Sequence, residues 1–489
     1  MEWLLLIGGL WFGSYLWNKY QENKTKQKRH TANYSREEAG TASYQRLLDK
    51  AEPVKLNVER TNADTVELSH EQRIVYDIIE NSRDNAYITG KAGTGKSLLL
   101  EYFVSHTKKT VAVVAPTGIA ALNVGGMTIH SFFRFPPDVI DPSEVNVDYK
   151  TREILRNIDA IVIDEVSMIR VDLMEGINAK LKIARRSDEP FGGVQMVMFG
   201  DLYQLPPVVT DGQLHRYFNH TYGGVYFFNA PVYKKAELKI YELNKIFRQK
   251  DAEFRSVLNS IRNGDSSESV LAKINERTSV ETPNGGFVTL AGTNSTVSGI
   301  NHRKLAALTG DEHTYTADIS GDIKESSFPT EKRLKLKPGA QIMMLKNDQA
   351  KPMRWANGTL GIVTKLGVDT IRINIDGVEH SVSKATWEKI RYDYNHEERK
   401  LKKEVVSTFK QFPMRLAWAI TIHKSQGQTY ESVAVDMSDG AFAHGQTYVA
   451  LSRCKSLNGL YLTTNIRPED IIIDQEIVEF MKSAKILKV

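Results

Sequence analysis

The chain has 489 residues, 41% of them apolar and 25% charged, a size that accommodates about two to four folded domains. A formal charge of +5 permits a phosphate-rich partner without requiring one. Its one cysteine, Cys454, excludes an internal disulfide, and no Cys/His cluster has zinc-site spacing, which points to a reducing compartment.

The first feature in chain order is the uncharged run WLLLIGGLWFGSYLW at residues 3–17, followed closely by Lys19, Lys24, Lys26, Lys28 and Arg29. As a helix it rises about 22 Å, short of a hydrocarbon core of roughly 30 Å. Trp3, Trp11, Tyr15, Trp17 and Tyr20 suit the two interfaces of a thinned bilayer. Glu2 precedes the run and the cations follow it, the reverse of a cleaved signal peptide. The reading is a single-pass anchor over 1–20, membrane contact through 3–17 and everything after it on the cytoplasmic side; without the anchor the location becomes cytoplasmic. Residues 21–65 are polar and lack apolar periodicity, as a tether would.

From Leu68 the pattern becomes that of an α/β protein. An amphipathic helix (HEQRIVYDIIENS) leads to a strand (NAYIT), a glycine-rich turn and an apolar helix (SLLLEYFVSH). Short apolar strands recur at 111–116, 160–165 and 194–201, the beat of a parallel sheet. A second α/β run follows residue 240, with FVTLAGTN, SVAVDMS and GLYLTT. Within it, residues 335–411 hold short β-like segments and no helical period, which predicts a small inserted barrel.

Between the first strand and its helix lies GKAGTGKS, residues 90–97, the pattern of a phosphate-binding loop in the context that motif requires. Backbone N–H groups from Gly90 through Gly93, Thr94 and Gly95 can wrap phosphates, Lys96 can neutralise their oxygens, and Ser97 can hold Mg²⁺. The reading is therefore an ATP site. At the end of the next buried strand, Asp164 suits a Mg²⁺-organising carboxylate and Glu165 a water-activating one. Gln204 in GDLYQLPPV is placed to sense the γ-phosphate.

These motifs, in a fixed order, resemble the petite-integration-frequency (Pif-type) helicases of superfamily 1, the branch that includes RecD-like motors. The likeness runs from about Leu68 to the C-terminus through EQ with Gln72, GKAGTGKS, APTGIAALNVGGMTIHSF, DEVSM, GDLYQLPPV, FRQ, LAWAITIHKSQGQT and YVALSRC. The resemblance implies two RecA-like P-loop domains in tandem, 66–240 and 241–489. The inserted barrel would be SH3-like, and residues 133–155 a small first-domain insertion near the point of strand separation.

It further implies that Gln72 reads the adenine, that Gly427 borders the nucleotide, and that Arg248 and Arg453 act as arginine fingers. Thr117, Gly118 and His130, with Thr421, His423, Lys424, Ser425 and Gln426, would contact single-stranded DNA. Phe132, Phe133 and Trp418 lie nearby in sequence but read as core. The implied activity is a 5′-to-3′ DNA helicase, acting as a monomer on single-stranded and tailed duplex DNA with ATP and Mg²⁺. Two alternatives stay open on the residues alone: a membrane-tethered, nucleotide-switched DNA clamp that does not unwind, and an RNA helicase.

Overall fold

The computed structural model describes residues 67–487 apart from 137, 210, 250, 281–286, 322, 324, 326–327, 351–353, 356 and 396–399. The anchor and tether expected over residues 1–65 lie outside the described residues. Among those described, no helix is long and apolar enough to cross a membrane.

The first element, helix His70–Asn81, starts because Ser69 and Gln72 form a reciprocal capping box, and it buries Gln72, Val75 and Ile79 along one face. It leads into a seven-stranded, wholly parallel sheet. From edge to edge the order is Ile486–Leu487, Lys239–Leu243, Ala86–Gly90, Gln195–Phe199, Ala160–Ile163, Val111–Ala115 and Met127–Thr128. The strands Ala86–Gly90, Ala160–Ile163 and Gln195–Phe199 are buried at every position. That explains their unbroken apolar runs, since helices cover both faces of such a sheet.

A second, four-stranded parallel sheet is ordered Ala419–Thr421, Val288–Ala291, Val433–Asp436 and Leu460–Leu462. It has its own core, with Phe254, Leu258, Leu290, Ile420, Val435 and Leu451. A boundary at 240 would fall inside the strand Lys239–Leu243, which pairs along its whole length with Ala86–Gly90 of the first sheet. The C-terminal segment also returns to that sheet. Ile486–Leu487 pairs with Lys239–Leu243, and the Phe480 ring stacks on Phe228 with centroids 4.0 Å apart.

The β-rich excursion is wider than residues 335–411. It opens with His313–Thr316, which pairs with Arg333–Leu336, and contains a five-stranded antiparallel sheet that ends with Met414–Leu416. Its core includes Leu334, Ile342, Val363, Ile371, Phe412 and Met414. The long hairpin Ala385–Asn395 with Lys400–Gln411 was not anticipated, although Ile390, Tyr392 and Tyr394 alternating with Arg391 and Asp393 were an available signal, and Trp387 and Phe409 pack in a small core there. In the first-domain segment 133–155, Phe135 and Ile140 are buried, and Ile140 N–H donates to Asp172 Oδ2 at 2.9 Å, so this excursion is tied down.

Candidate nucleotide cleft and strand-contact residues

The phosphate loop leaves the end of the strand Ala86–Gly90 and enters helix Lys96–His106. Two of its glycines are required by close approach. A Cβ on Gly93 would stand 2.5 Å from Arg248 Cβ, and one on Gly95 2.4 Å from Gln72 Nε2. Both have positive φ, +85° and +80°. Thr94 is buried, with its hydroxyl donating to Lys91 O at 3.0 Å. Lys96 Nζ donates to Gly90 O at 2.6 Å and Lys91 O at 3.2 Å, across the mouth of the loop. Burial lowers its pKa, against the pull of Asp201 and Glu165. Ser97 lines the cleft beside it. Gln72 Nε2 donates to the Thr94 and Gly95 carbonyls, each at 3.3 Å, so this residue supports the loop from below.

Asp164 and Glu165 follow the buried strand Ala160–Ile163. Burial, then the neighbouring charge of Glu165, pushes the Asp164 carboxyl up to about 7. Glu165 is also raised by burial, while Lys96 and Arg453 pull it down. Its φ of +51° is left-handed backbone on a non-glycine residue, a local strain found where side-chain direction matters. Gln204 Nε2 donates to Asp201 Oδ2 at 3.2 Å. Asp201 is fully buried and pairs with Arg262 of the helix Ala252–Arg262 at 3.2 Å, holding its carboxyl below the ordinary value despite burial.

Across the cleft stand Arg248 and Arg453. Arg453 is 1% exposed, its Nε donating to Val449 O at 2.9 Å and a terminal nitrogen to Gln428 O at 3.3 Å. Arg248 donates to Ser452 O at 3.2 Å. Burial and the charge of Arg453 pull its pKa down to about 9: two guanidiniums converge where an anion would relieve both. Ala92 N–H, in the phosphate loop, donates to Tyr448 Oη at 3.0 Å, joining the two sides.

Lys96, Ser97, Asp164, Glu165, Gln204, Arg248, Gly427 and Arg453 all line one cleft of about 690 Å³. Other lining residues were missed, among them Phe247, Asn357 and Gly358. Phe247 is 45% exposed beside Gly95, and its place before Arg248 in FRQ was the available signal. Asn357 and Gly358 come from the β-rich excursion, and no sequence pattern ties that turn to the cleft.

The expected strand-contact residues are less gathered. In the first domain Thr117 is half-buried, its hydroxyl accepting from Ala120 N–H at 3.2 Å. Gly118 faces open space, and His130 is half-buried, its pKa lowered by burial. In the second, Thr421 is buried and Ser425 fully so, its hydroxyl donating to Ile422 O at 2.7 Å. Gln426 turns the other way, its Nε2 donating to Glu165 Oε2 at 2.9 Å. His423 and Gln426 are half-buried, and Lys424 is the exposed member of that group. Phe132 and Phe133 are core, and Trp418 is half-buried against the β-rich core.

The sequence pattern described as PIF1-like helicase matches residues 67–272, and that described as DNA helicase Pif1, 2B domain, matches 322–366. The ATP-dependent DNA helicase Pif1 of Bdellovibrio bacteriovorus is 32% identical over 431 residues, which span 85% of this chain and 92% of that protein. The chain belongs to the PIF1-like helicases. Among solved family members, Bacteroides sp Pif1 in complex with ADP-AlF4 is 37% identical, covering 86% of this chain and all of its own, with a TM-score of 0.79. Bacteroides Pif1 bound to ssDNA is 38% identical over the same shares, yet its TM-score is 0.65.

Proposed function

We infer that the chain is an ATP-dependent DNA helicase, hydrolysing ATP in this cleft to travel along single-stranded DNA and part the paired strand. The observation that carries the reading is the convergence in one cleft of Lys96, Asp164 and Glu165 from the first sheet with Arg248 and Arg453 from the other side. The named relatives, ATP-dependent DNA helicases, support it.

In the mechanism, the loop from Gly90 to Gly95 cradles the phosphates, and Lys96 leaves the Gly90 and Lys91 carbonyls for their oxygens. Mg²⁺, when bound, would neutralise phosphate charge. Ser97 and Asp164 suit it because a hydroxyl and a single carboxylate leave room for phosphate and water oxygens, the mixed shell this ion prefers. Glu165 takes the proton from the attacking water, the bond from the γ-phosphorus to the bridging oxygen breaks, and ADP departs with the electron pair. Arg248 and Arg453 stabilise charge on the transferring oxygens, and Gln204 orients the γ-phosphate. Gly427 borders the base and sugar, while Gln72, expected to read the adenine, is buried with its amide bonded to Ser69, Thr94 and Gly95 and acts through the loop it supports. Because Gln426 holds Glu165, a strand that draws Gln426 away frees the base, which links DNA to turnover.

The proposal extends to two RecA-like domains, an SH3-like fold for the β-rich excursion, action as a monomer, and a membrane tether at residues 3–17 that keeps the motor cytoplasmic. The order of apolar run and cations supports the tether. Translocation is 5′-to-3′. Strand displacement on 5′- and 3′-tailed duplexes tests this: unwinding of the 5′-tailed substrate is expected, and unwinding of the 3′-tailed one alone would reverse the polarity. ATP turnover stimulated by DNA without unwinding of either would make the chain a clamp, and stimulation by RNA alone an RNA helicase.

A further inference from the structure

Phe442 takes no part in the nucleotide cleft, yet it is the most conspicuous apolar side chain on the second sheet's ligand-facing edge. It is 60% exposed on a backbone that is firmly held. Its N–H donates to Oε1 of the fully buried Gln446 at 3.0 Å, and Ala441 N–H donates to the buried Asp470 at 3.0 Å. The fold therefore fixes the chain and leaves the ring in water, an arrangement that burial energy alone does not favour.

The surroundings explain what such a ring can do. It lies nearly parallel to the His423 imidazole, with centroids 6.3 Å apart and planes inclined by 13°. On another side is bare backbone: a Cβ on Gly292 would come within 3.5 Å of Phe442 Cε1. Phe442, His423 and Gly292 follow the strands Val433–Asp436, Ala419–Thr421 and Val288–Ala291 respectively. They thus share the carboxyl edge of the parallel sheet, where open α/β sheets receive ligands.

We propose that Phe442, backed by His423, is a stacking platform for one base of the translocating single strand. The exposed Lys424 next to His423 meets a neighbouring phosphate. The platform rests on the helicase reading and adds a residue that grips by π-face rather than by charge. It accepts any base, because every base presents such a face, and a motor that must pass every sequence needs that tolerance. Stacking also gives a unit step: a base leaves the ring entirely before the next one seats.

The test measures binding of the full chain to a labelled oligothymidine and to a strand of equal length made of abasic residues, by fluorescence anisotropy. Phe442→Ala should weaken oligothymidine binding by roughly 5- to 100-fold, the range for one base–aromatic stack, and leave abasic binding unchanged. Phe442→Trp should retain wild-type affinity, whereas Phe442→Leu, which keeps apolar bulk, should lose most of it. Equal losses on both strands, or full affinity in Phe442→Ala or Phe442→Leu, would overturn the platform while leaving the helicase reading intact. A wild-type chain that binds neither strand would overturn both. Thermal unfolding of each variant, expected at the wild-type midpoint for so exposed a side chain, separates lost contact from lost fold.

Discussion

The phosphate loop and the turn at residues 421–426 face the same inter-sheet space but are built in opposite ways. The loop is held by backbone: glycines at 93 and 95 admit Arg248 and Gln72 to closest approach, and Ala92 N–H is fixed by Tyr448. Its Lys96 is engaged as well, Nζ being bonded to the Gly90 and Lys91 carbonyls that phosphate oxygens must displace. The turn keeps its polar side chains for itself, with Ser425 bonded to Ile422 O and Gln426 to Glu165. Under the proposed helicase mechanism the nucleotide site needs only Lys96 to turn, whereas Ser425 and Gln426 have first to give up the bonds that hold them.

The largest expected effect sharpens the rigid side of the comparison. Arg453→Ala removes a guanidinium aimed at transition-state charge, and DNA-stimulated ATP turnover should fall by about 10³-fold or more. A colorimetric phosphate assay reads this directly; a loss under tenfold would assign the finger to Arg248 alone. Next, Gln426→Ala should break the contrast by releasing Glu165 without a strand. DNA-independent turnover should rise roughly fivefold, the worth of one hydrogen bond at about 1 kcal/mol. An unchanged ratio of stimulated to unstimulated turnover would remove Gln426 from the coupling.

The smallest effect is on stability. Burial, then the charge of Glu165, pushes the Asp164 carboxyl up from its ordinary 3.8 to about 7. Between those values the folded chain binds more protons than the unfolded one, so stability falls as pH rises from about 4 through 7. Asp164→Asn should flatten the decline in thermal midpoint between pH 5 and 8, and a slope identical to wild type would place the proton elsewhere.

What the sequence made legible was what is contiguous and backbone-driven. The loop at 90–97 and the buried strands announce themselves, because steric and apolar demands act on neighbouring residues. The arginines were accessible only through resemblance, since an isolated Arg reads equally as a solvated charge. The Asp201–Arg262 pair was not accessible: its partners are 61 positions apart, and Arg262 closes a helix whose last turn would suit any cation. Likewise the two-residue strand Ile486–Leu487 carries too short a signal to place the C-terminus in the first sheet, and only pairing with Lys239–Leu243 does so.

That last pairing has a mechanical consequence. The polypeptide passes from the first core to the second after Leu243 and comes back between Ile466, which packs in the second, and Ile477, which packs in the first. A body joined to its neighbour by one thread can swivel in every direction, but two separate threads act as paired hinge pins on a door. Any relative movement of the two cores has to satisfy both crossings at once, which leaves fewer directions open than a single crossing would.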